Sequence, residues 1–432
     1  MQSLLLLSGV AVAAASRQVL SNSTSWTNST TGEVVKLTGT NVVMKGAPWI
    51  PEVSGSDVCD STDESGASTS CQTFNSADAE HIKSLGYNMV RLGVVWAGAQ
   101  PDGPNTALDA DVLRRLDAFL EVADAHGLQV LIDLHQDAVG TAVCGEGLPM
   151  WFSQLATPKQ IGKPLWPLAG LDDGTCGRDD TAAWAEFAGD ADYNIKNPCC
   201  RKHNQGSWGQ LGATLQAQEN MLYLFTKGRS LFADFVGRVA KAVESRDNVF
   251  AIELMNEPPA IERGLMYKTW EAAAASVREA SPDLAVGVAD TANSALPLRN
   301  LDLRRETVEW LKADPHLFYA FHWYGTPEEP EKAISNALRT GASWDMPVHL
   351  TEFGGYGGDS YGCATQRAAN AAGVGSSYWH YSDYCWPKHC PGGEADGYCD
   401  LPEGDRWGAC ITGWGSGNAS FVCPGDTPEL RR

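Results

Sequence analysis

Segments with strand character and segments with helix character take turns along most of this chain, and few architectures accommodate that pattern. Asn41–Lys45 is a short β-branched run, Ala77–Leu85 reads as a helix, and Asn88–Val95 is a strand rich in Val and Leu. Leu108–His126 has apolar residues at helical spacing and is followed by an apolar strand, Leu128–Leu134. Gln216–Glu244 reads as one long helical stretch before the strand Val249–Met255. Helix Lys268–Ala280 precedes strand Leu284–Ala289, and strand Leu317–Trp323 precedes helix Glu328–Leu338. Strand Val348–Glu352, helix Ala364–Ala372 and strand Ser376–Tyr381 complete the series. Alternation of this length implies a parallel sheet. Eight such strands predict a closed (β/α)8 barrel of the α/β class rather than an open doubly wound sheet. A Gly-rich phosphate loop after the first strand is missing, which argues against a nucleotide fold.

A bare barrel needs about 250 residues, and the chain has 432. Two segments carry the excess. Residues 136–213 follow the third strand and are rich in Gly, Asp, Trp and Cys; residues 383–432 form a Cys/Gly/Pro-rich extension. Each reads equally well as stapled decoration or as a lid over the cleft. The barrel itself is expected over 35–382, with 136–213 as an inserted loop.

Leu4 to Ala15 is an apolar run ending in Ala13-Ala14-Ala15, so residues 1–16 are expected to be a secretory signal. Residues 17–34 are Ser/Thr/Asn-rich and expected to be a disordered leader. The 12 cysteines agree with export, because an even set in an oxidising compartment reads as a disulfide framework. Cys59 and Cys71 bracket a polar loop, while Cys199 and Cys200 are adjacent and so are expected to bond different partners. Sequons stand at Asn22, Asn28 and Asn418. Secretion or delivery to a lumenal compartment follows as the expectation. A net charge of −21 leaves no electrostatic footprint for nucleic acid or for anionic membrane surfaces. No segment reads as a membrane span, and oligomeric state is not legible.

In such a barrel the reacting groups lie at the carboxyl ends of the strands. Those ends are polar here: Arg91 toward Trp96, Asp133-Leu134-His135-Gln136-Asp137, Asn256-Glu257-Pro258, His322-Trp323-Tyr324, Glu352-Phe353-Gly354 and Trp379-His380. Two strand-end carboxylates suit glycoside hydrolysis, in which one acid protonates the leaving oxygen and one carboxylate attacks the anomeric carbon. The chemistry needs neither metal nor cofactor.

Asn256-Glu257-Pro258 closing an apolar strand, with Glu352 closing a later one, resembles the large barrel clan of retaining glycosidases. With Arg91, His135, His322-Trp323-Tyr324 and Trp379 it is similar to glycoside hydrolase family 5. The run Asn41 to Pro51, the run Val90 to Trp96, and Asp133 to Asp137 followed by Gly145-Glu146-Gly147-Leu148-Pro149 resemble the endoglycoceramidase branch. Two features depart from that branch: the Cys-bearing loop 150–213, and the extension 383–432 where the branch carries a β-sandwich. The resemblance implies a β-glycoside substrate, in a glycolipid or oligosaccharide. It also implies Glu257 as acid/base, Glu352 as nucleophile, Asn256 on the sugar 2-hydroxyl, and Arg91 and Tyr324 bracing Glu352. His322, His135, Asp137 and Lys45 would line the sugar site, with Trp379 as its stacking floor. Glu253 faces away from Asn256 and is expected in the barrel network rather than in catalysis. A β-glucan or mannan remains an alternative substrate, and a non-catalytic carbohydrate-binding barrel is the alternative from another class.

Overall fold

The computed structural model describes residues 17–22, 24–54, 74–171, 176–206, 208–259, 263–289, 305–325, 329–354 and 359–379. The signal expected over 1–16, the Cys59 and Cys71 loop, Asn418 and the extension 383–432 lie outside the described residues.

A hairpin of β1 (Val19–Asn22) and β2 (Ser25–Asn28) precedes eight parallel strands: β3 (Thr38–Val42), β4 (Met89–Val95), β5 (Gln129–His135), β6 (Val249–Glu253), β7 (Ala285–Ala289), β8 (Leu317–Trp323), β9 (Val348–Phe353) and β10 (Gly375–Tyr378). They close in the order β10-β3-β4-β5-β6-β7-β8-β9, as the alternation predicted. β4 and β5 pair without interruption from Met89↔Gln129 to Val95↔His135. The side-chain period of two then sorts each strand. Val90, Leu92 and Val94 pack outward against the helices with Val130, Ile132 and Leu134 of β5. Met89 and Leu131 point inward with Phe250 and Phe318, forming an apolar layer low in the barrel. Two residues further along the same inward faces of β4 and β5 come Arg91 and Asp133, joined by Glu253 of β6 and Thr351 of β9, all fully buried. The barrel is therefore apolar at its floor and charged toward its carboxyl end.

The helix Ala110–Ala125 shows how the outer layer forms. Asp109 caps it by accepting from the Asp111 and Val112 amides, and Val112, Leu116, Phe119, Leu120 and Ala123 make the buried stripe. Gln216–Glu244 is not one helix but two, Leu215–Phe225 and Arg229–Ala242. The Thr226 hydroxyl takes the Leu222 carbonyl at 2.6 Å, and the Gly228 amide turns back to the Tyr223 carbonyl. A Cβ at Gly228 would lie 2.7 Å from the Phe152 ring, so the break doubles as a close packing contact.

Residues 17–34 are not a disordered leader. Trp26 of the hairpin is buried edge-on between Phe250 and Phe318, with centroids 5.1 and 5.2 Å away, and closes the barrel floor. The buried Arg17 guanidinium donates to the Val249 and Arg246 carbonyls and to the Ser281 hydroxyl. Polar composition hid a segment whose apolar partners lie more than two hundred residues away in the chain. Trp26→Ala is expected to cost about 3–5 kcal/mol by opening a cavity under the barrel. A thermal midpoint equal to wild type would refute the plug.

The insertion 136–213 is ordered wherever it is described. It runs through short helices that include Met150–Ala156, Thr181–Ala185 and Pro198–Gly206, around the buried Trp184 and Tyr193. Cys144–Cys200 and Cys176–Cys199 staple it, so the adjacent cysteines do take different partners. Loops of 56 and 23 residues give about 3–4 kcal/mol each by chain entropy alone. Among the described residues no helix is long and apolar enough to cross a membrane.

Candidate active site

Arg91 is the centre from which the site is built. Its side chain rises inside β4 and is fully buried, so every donor on the guanidinium needs a partner. Nε donates to Glu253 at 2.8 Å, and Nη1 donates to Asn41 at 2.8 Å and to Glu352 at 2.7 Å. Nη2 meets Asn256 at 2.9 Å and Asp133 at 2.9 Å. Burial alone disfavours this cation, but Asp133, Glu253 and Glu352 outweigh it and hold the guanidinium firmly charged. The planar fork suits this duty, because one group fixes the ends of five strands at once.

Glu352 presents its second oxygen to the Tyr324 hydroxyl, which donates at 2.8 Å. His322 bridges to the next carboxylate. Its Nδ1 lies 2.8 Å from Glu257 Oε1 and 3.4 Å from Glu352 Oε2. Burial works against a charged imidazole, yet Glu352 and Glu257 together raise the His322 pKa. A carboxylate oxygen of Glu257 and one of Glu352 come within 4.8 Å of each other. The Glu257 side chain is 21% exposed against 5% for Glu352, so the former faces the open cleft and the latter is embedded.

Glu257 sits on strained backbone, with φ of 35°. Gln136 holds that backbone. Its side-chain amide donates to the Asn256 carbonyl at 2.6 Å and the Glu257 carbonyl at 2.9 Å, while its oxygen accepts from the Val139 amide. Asn256 accepts from Arg91 and donates one amide hydrogen to the Gln136 carbonyl, which leaves its second amide hydrogen for another acceptor.

A second cluster adjoins the first through Asp133, which contacts Arg91 on one side and His135 Nδ1, at 2.6 Å, on the other. His135 Nε2 lies 3.1 Å from Asp137. Burial is again opposed by carboxylates, here Asp133 and Asp137, which carry the imidazole up to about 10. Lys45 pairs with Asp137 and lies 3.4 Å from Glu146. Trp379, just past β10, lies parallel to His135 at 5.6 Å, and the Lys45 ammonium stands 5.1 Å from its ring centroid.

All ten residues singled out in the sequence therefore fall into two adjoining groups at the carboxyl end. Arg91, Asn256, Glu257, His322, Tyr324 and Glu352 make one; Lys45, His135, Asp137 and Trp379 make the other. Glu253 lies in the barrel network on Arg91, as expected, but it does not face away from Asn256, since both bond the same guanidinium. Asp133, Gln136, Asn41 and Glu146 were not singled out for the site. Asp133 and Gln136 flank His135 in a polar run, and that run was the only signal available for them.

The family model for cellulase (glycosyl hydrolase family 5) matches residues 53–385. An endoglycoceramidase of Cyanea nozakii is 29% identical over 224 residues, covering 51% of this chain and 37% of that protein. The chain thus spans little more than a third of the length of the curated relatives it matches. A solved endogalactoceramidase superposes with a TM-score of 0.58 at 18% identity, over 85% of this chain and 76% of its own. Endo-glycoceramidase II from Rhodococcus sp., solved as a lactosyl-enzyme intermediate, gives 0.56 at 21% identity over 81% and 74%. At these identities the two structures establish the shared fold.

Proposed function

The chain belongs to the cellulase family, glycosyl hydrolase family 5, and on that premise we propose that it is a retaining glycoside hydrolase cleaving a β-glucosyl-type linkage in a glycolipid. The observation that carries this reading is the pair Glu257 and Glu352, with oxygens within 4.8 Å. Retaining enzymes hold their carboxyls about 5–5.5 Å apart, whereas inverting ones leave about 6.5–9.5 Å for a water.

Glu352, braced by Arg91 and Tyr324, attacks the anomeric carbon from the face opposite the leaving group. Glu257 delivers its proton to the departing glycosidic oxygen as that bond breaks. The sugar is then an ester of Glu352, and the negative charge has passed from Glu352 to Glu257. Glu257, now a carboxylate, takes a proton from water, which attacks the same carbon and releases Glu352. His322 touches both carboxylates and keeps them in register. Asn256 turns its remaining amide hydrogen to the sugar 2-hydroxyl. Lys45, His135 and Asp137 grip the other hydroxyls, and Trp379 supplies the stacking floor.

The glycolipid substrate is favoured by the endoglycoceramidase relatives and by the lactosyl-enzyme form of a structural neighbour. A polysaccharide is the second reading, favoured by the family's own description as cellulases. Two disulfides in the insertion support an oxidising, secreted or lumenal location.

The deciding experiment offers lactosylceramide, glucosylceramide and a β-glucan side by side and follows the products by NMR. Intact lactose with free ceramide is expected, the sugar appearing first as its β-anomer. Activity confined to the glucan would overturn the glycolipid substrate, and a first-formed α-anomer would overturn retention.

A further inference from the structure

The segment after β5 folds back on itself before the inserted helices begin. Asp137 and Glu146 face each other as an antiparallel bridge, each amide donating to the other's carbonyl, at 2.8 and 2.9 Å. Between them Ala138, Val139 and Cys144 take positive φ values of 54°, 77° and 68°. Gly145 permits the closure, since a Cβ there would lie 2.2 Å from the Asp137 carbonyl oxygen. The Cys144–Cys200 disulfide ties the same turn to the inserted helix Pro198–Gly206. A strained turn held this firmly delivers one buried side chain, Glu146, into the Lys45 cluster.

One Glu146 oxygen stands 3.4 Å from the Lys45 ammonium, and its backbone is bridged to that of Asp137. Asp137 faces both Lys45 and His135 at close range, so its negative charge is the better supported of the two. Glu146 is therefore the readier of the two to hold a proton. Burial favours it there, against the attraction of Lys45 and with the repulsion of Asp137, and pushes the Glu146 carboxyl up to about 8.

We propose that Glu146 is a positioning residue for sugar recognition: buried on a braced turn, beside the Lys45 ammonium and joined through its backbone to Asp137, it fixes both against the substrate. This rests on the reading of Lys45 and Asp137 as the groups that grip the sugar. The charged groups facing Glu146 are Lys45 from the segment after β3, Asp137 from its own turn and His135 from the end of β5. Loss of the Glu146 proton sets two anions side by side and draws the Lys45 charge away from sugar hydroxyls, so the grip loosens as pH rises through that range.

The test uses the full chain as wild type, Glu146→Gln and Glu146→Ala. Cellobiose affinity is measured by calorimetry and turnover on p-nitrophenyl β-cellobioside, at about pH 6 and about pH 9, on either side of the carboxyl's titration. At the lower pH, Glu146→Gln should stay within about threefold of wild type in Kd and KM, because an amide keeps the shape and an oxygen toward Lys45. Glu146→Ala should raise both about tenfold with kcat within about threefold, the signature of lost uniform binding. At the higher pH, wild type should weaken several-fold and Glu146→Gln should not. Unchanged Kd and KM in Glu146→Ala, Glu146→Gln as weak as Glu146→Ala, or an equal pH response in wild type and Glu146→Gln would each overturn the proposal. If wild type binds cellobiose but turns over no glycoside, the binding comparisons still decide and only the hydrolase reading fails. Absence of both binding and turnover in wild type would overturn both.

Discussion

Glu352→Gln should lower turnover of an aryl β-cellobioside by at least about 10⁴-fold, equivalent to about 5 kcal/mol of transition-state stabilisation. An amide oxygen is too weak a nucleophile to form the ester, and no neighbouring carboxylate stands opposite the leaving group to replace it. The fold should survive. Gln keeps the shape, its oxygen still accepts from Arg91, and Asp133 and Glu253 remain to balance the guanidinium. Removing Arg91 is a different experiment. Arg91→Met would strand three buried carboxylates, and breaking a buried pair in this way costs about 3–5 kcal/mol of stability. Comparison of the two variants therefore separates chemistry from architecture. Turnover of Glu352→Gln within a factor of ten of wild type, with the fold verified by circular dichroism, would remove Glu352 from the nucleophile's role.

The barrel was legible because each strand carries its own signal. Val90, Leu92 and Val94 alternate with Met89 and Arg91, so the period of two announces both the strand and a polar interruption on its inner face. Boundaries were less legible where hydrogen bonding to a neighbour decides them. β3 begins at Thr38 rather than Asn41, since the Asn88 carboxamide bonds the Thr38 amide and the Lys36 carbonyl and starts the pairing early. Gly39 disguises the strand as well. It occupies a point where a Cβ would lie 1.9 Å from the Met89 carbonyl oxygen, so a residue with low strand propensity is the one that fits.

The site divides along the same line. Glu257 and Glu352 could be picked out because each ends an apolar strand, and a carboxylate there has no structural duty visible in the sequence. The couplings between strands were hidden. Asp133 joins Arg91 to His135 only once β4 and β5 lie in register. Gln136 reaches carbonyls 120 positions away, and its role depends on the positive φ of Glu257, which no local pattern foreshadows. Composition misled in the hairpin, where one tryptophan among Ser, Thr and Asn closes the barrel floor.

Glu257→Ala should divide substrates by their leaving groups. A natural alkoxide leaves only with a proton, so hydrolysis of a glycolipid or cellobioside should fall about 10²–10⁴-fold, the range of a lost general acid. A 2,4-dinitrophenolate leaves without help, and its glycosyl-enzyme should form within about tenfold of the wild-type rate. The ester then waits, because the base that activates water has gone too. Steady-state kcat falls while a burst of dinitrophenol marks the trapped intermediate. Azide needs no base, and it enters on the open side where the Glu257 side chain is 21% exposed. It should restore turnover and give the β-glycosyl azide, which shares the anomeric configuration of the substrate. The alkaline limb of kcat/KM should also disappear, since the acid responsible for it is absent. Equal losses on good and poor leaving groups, or an α-azide, would show that Glu257 does not supply the proton. Retained activity on the poor leaving group would transfer the acid role to His322, the remaining proton carrier in contact with both carboxylates.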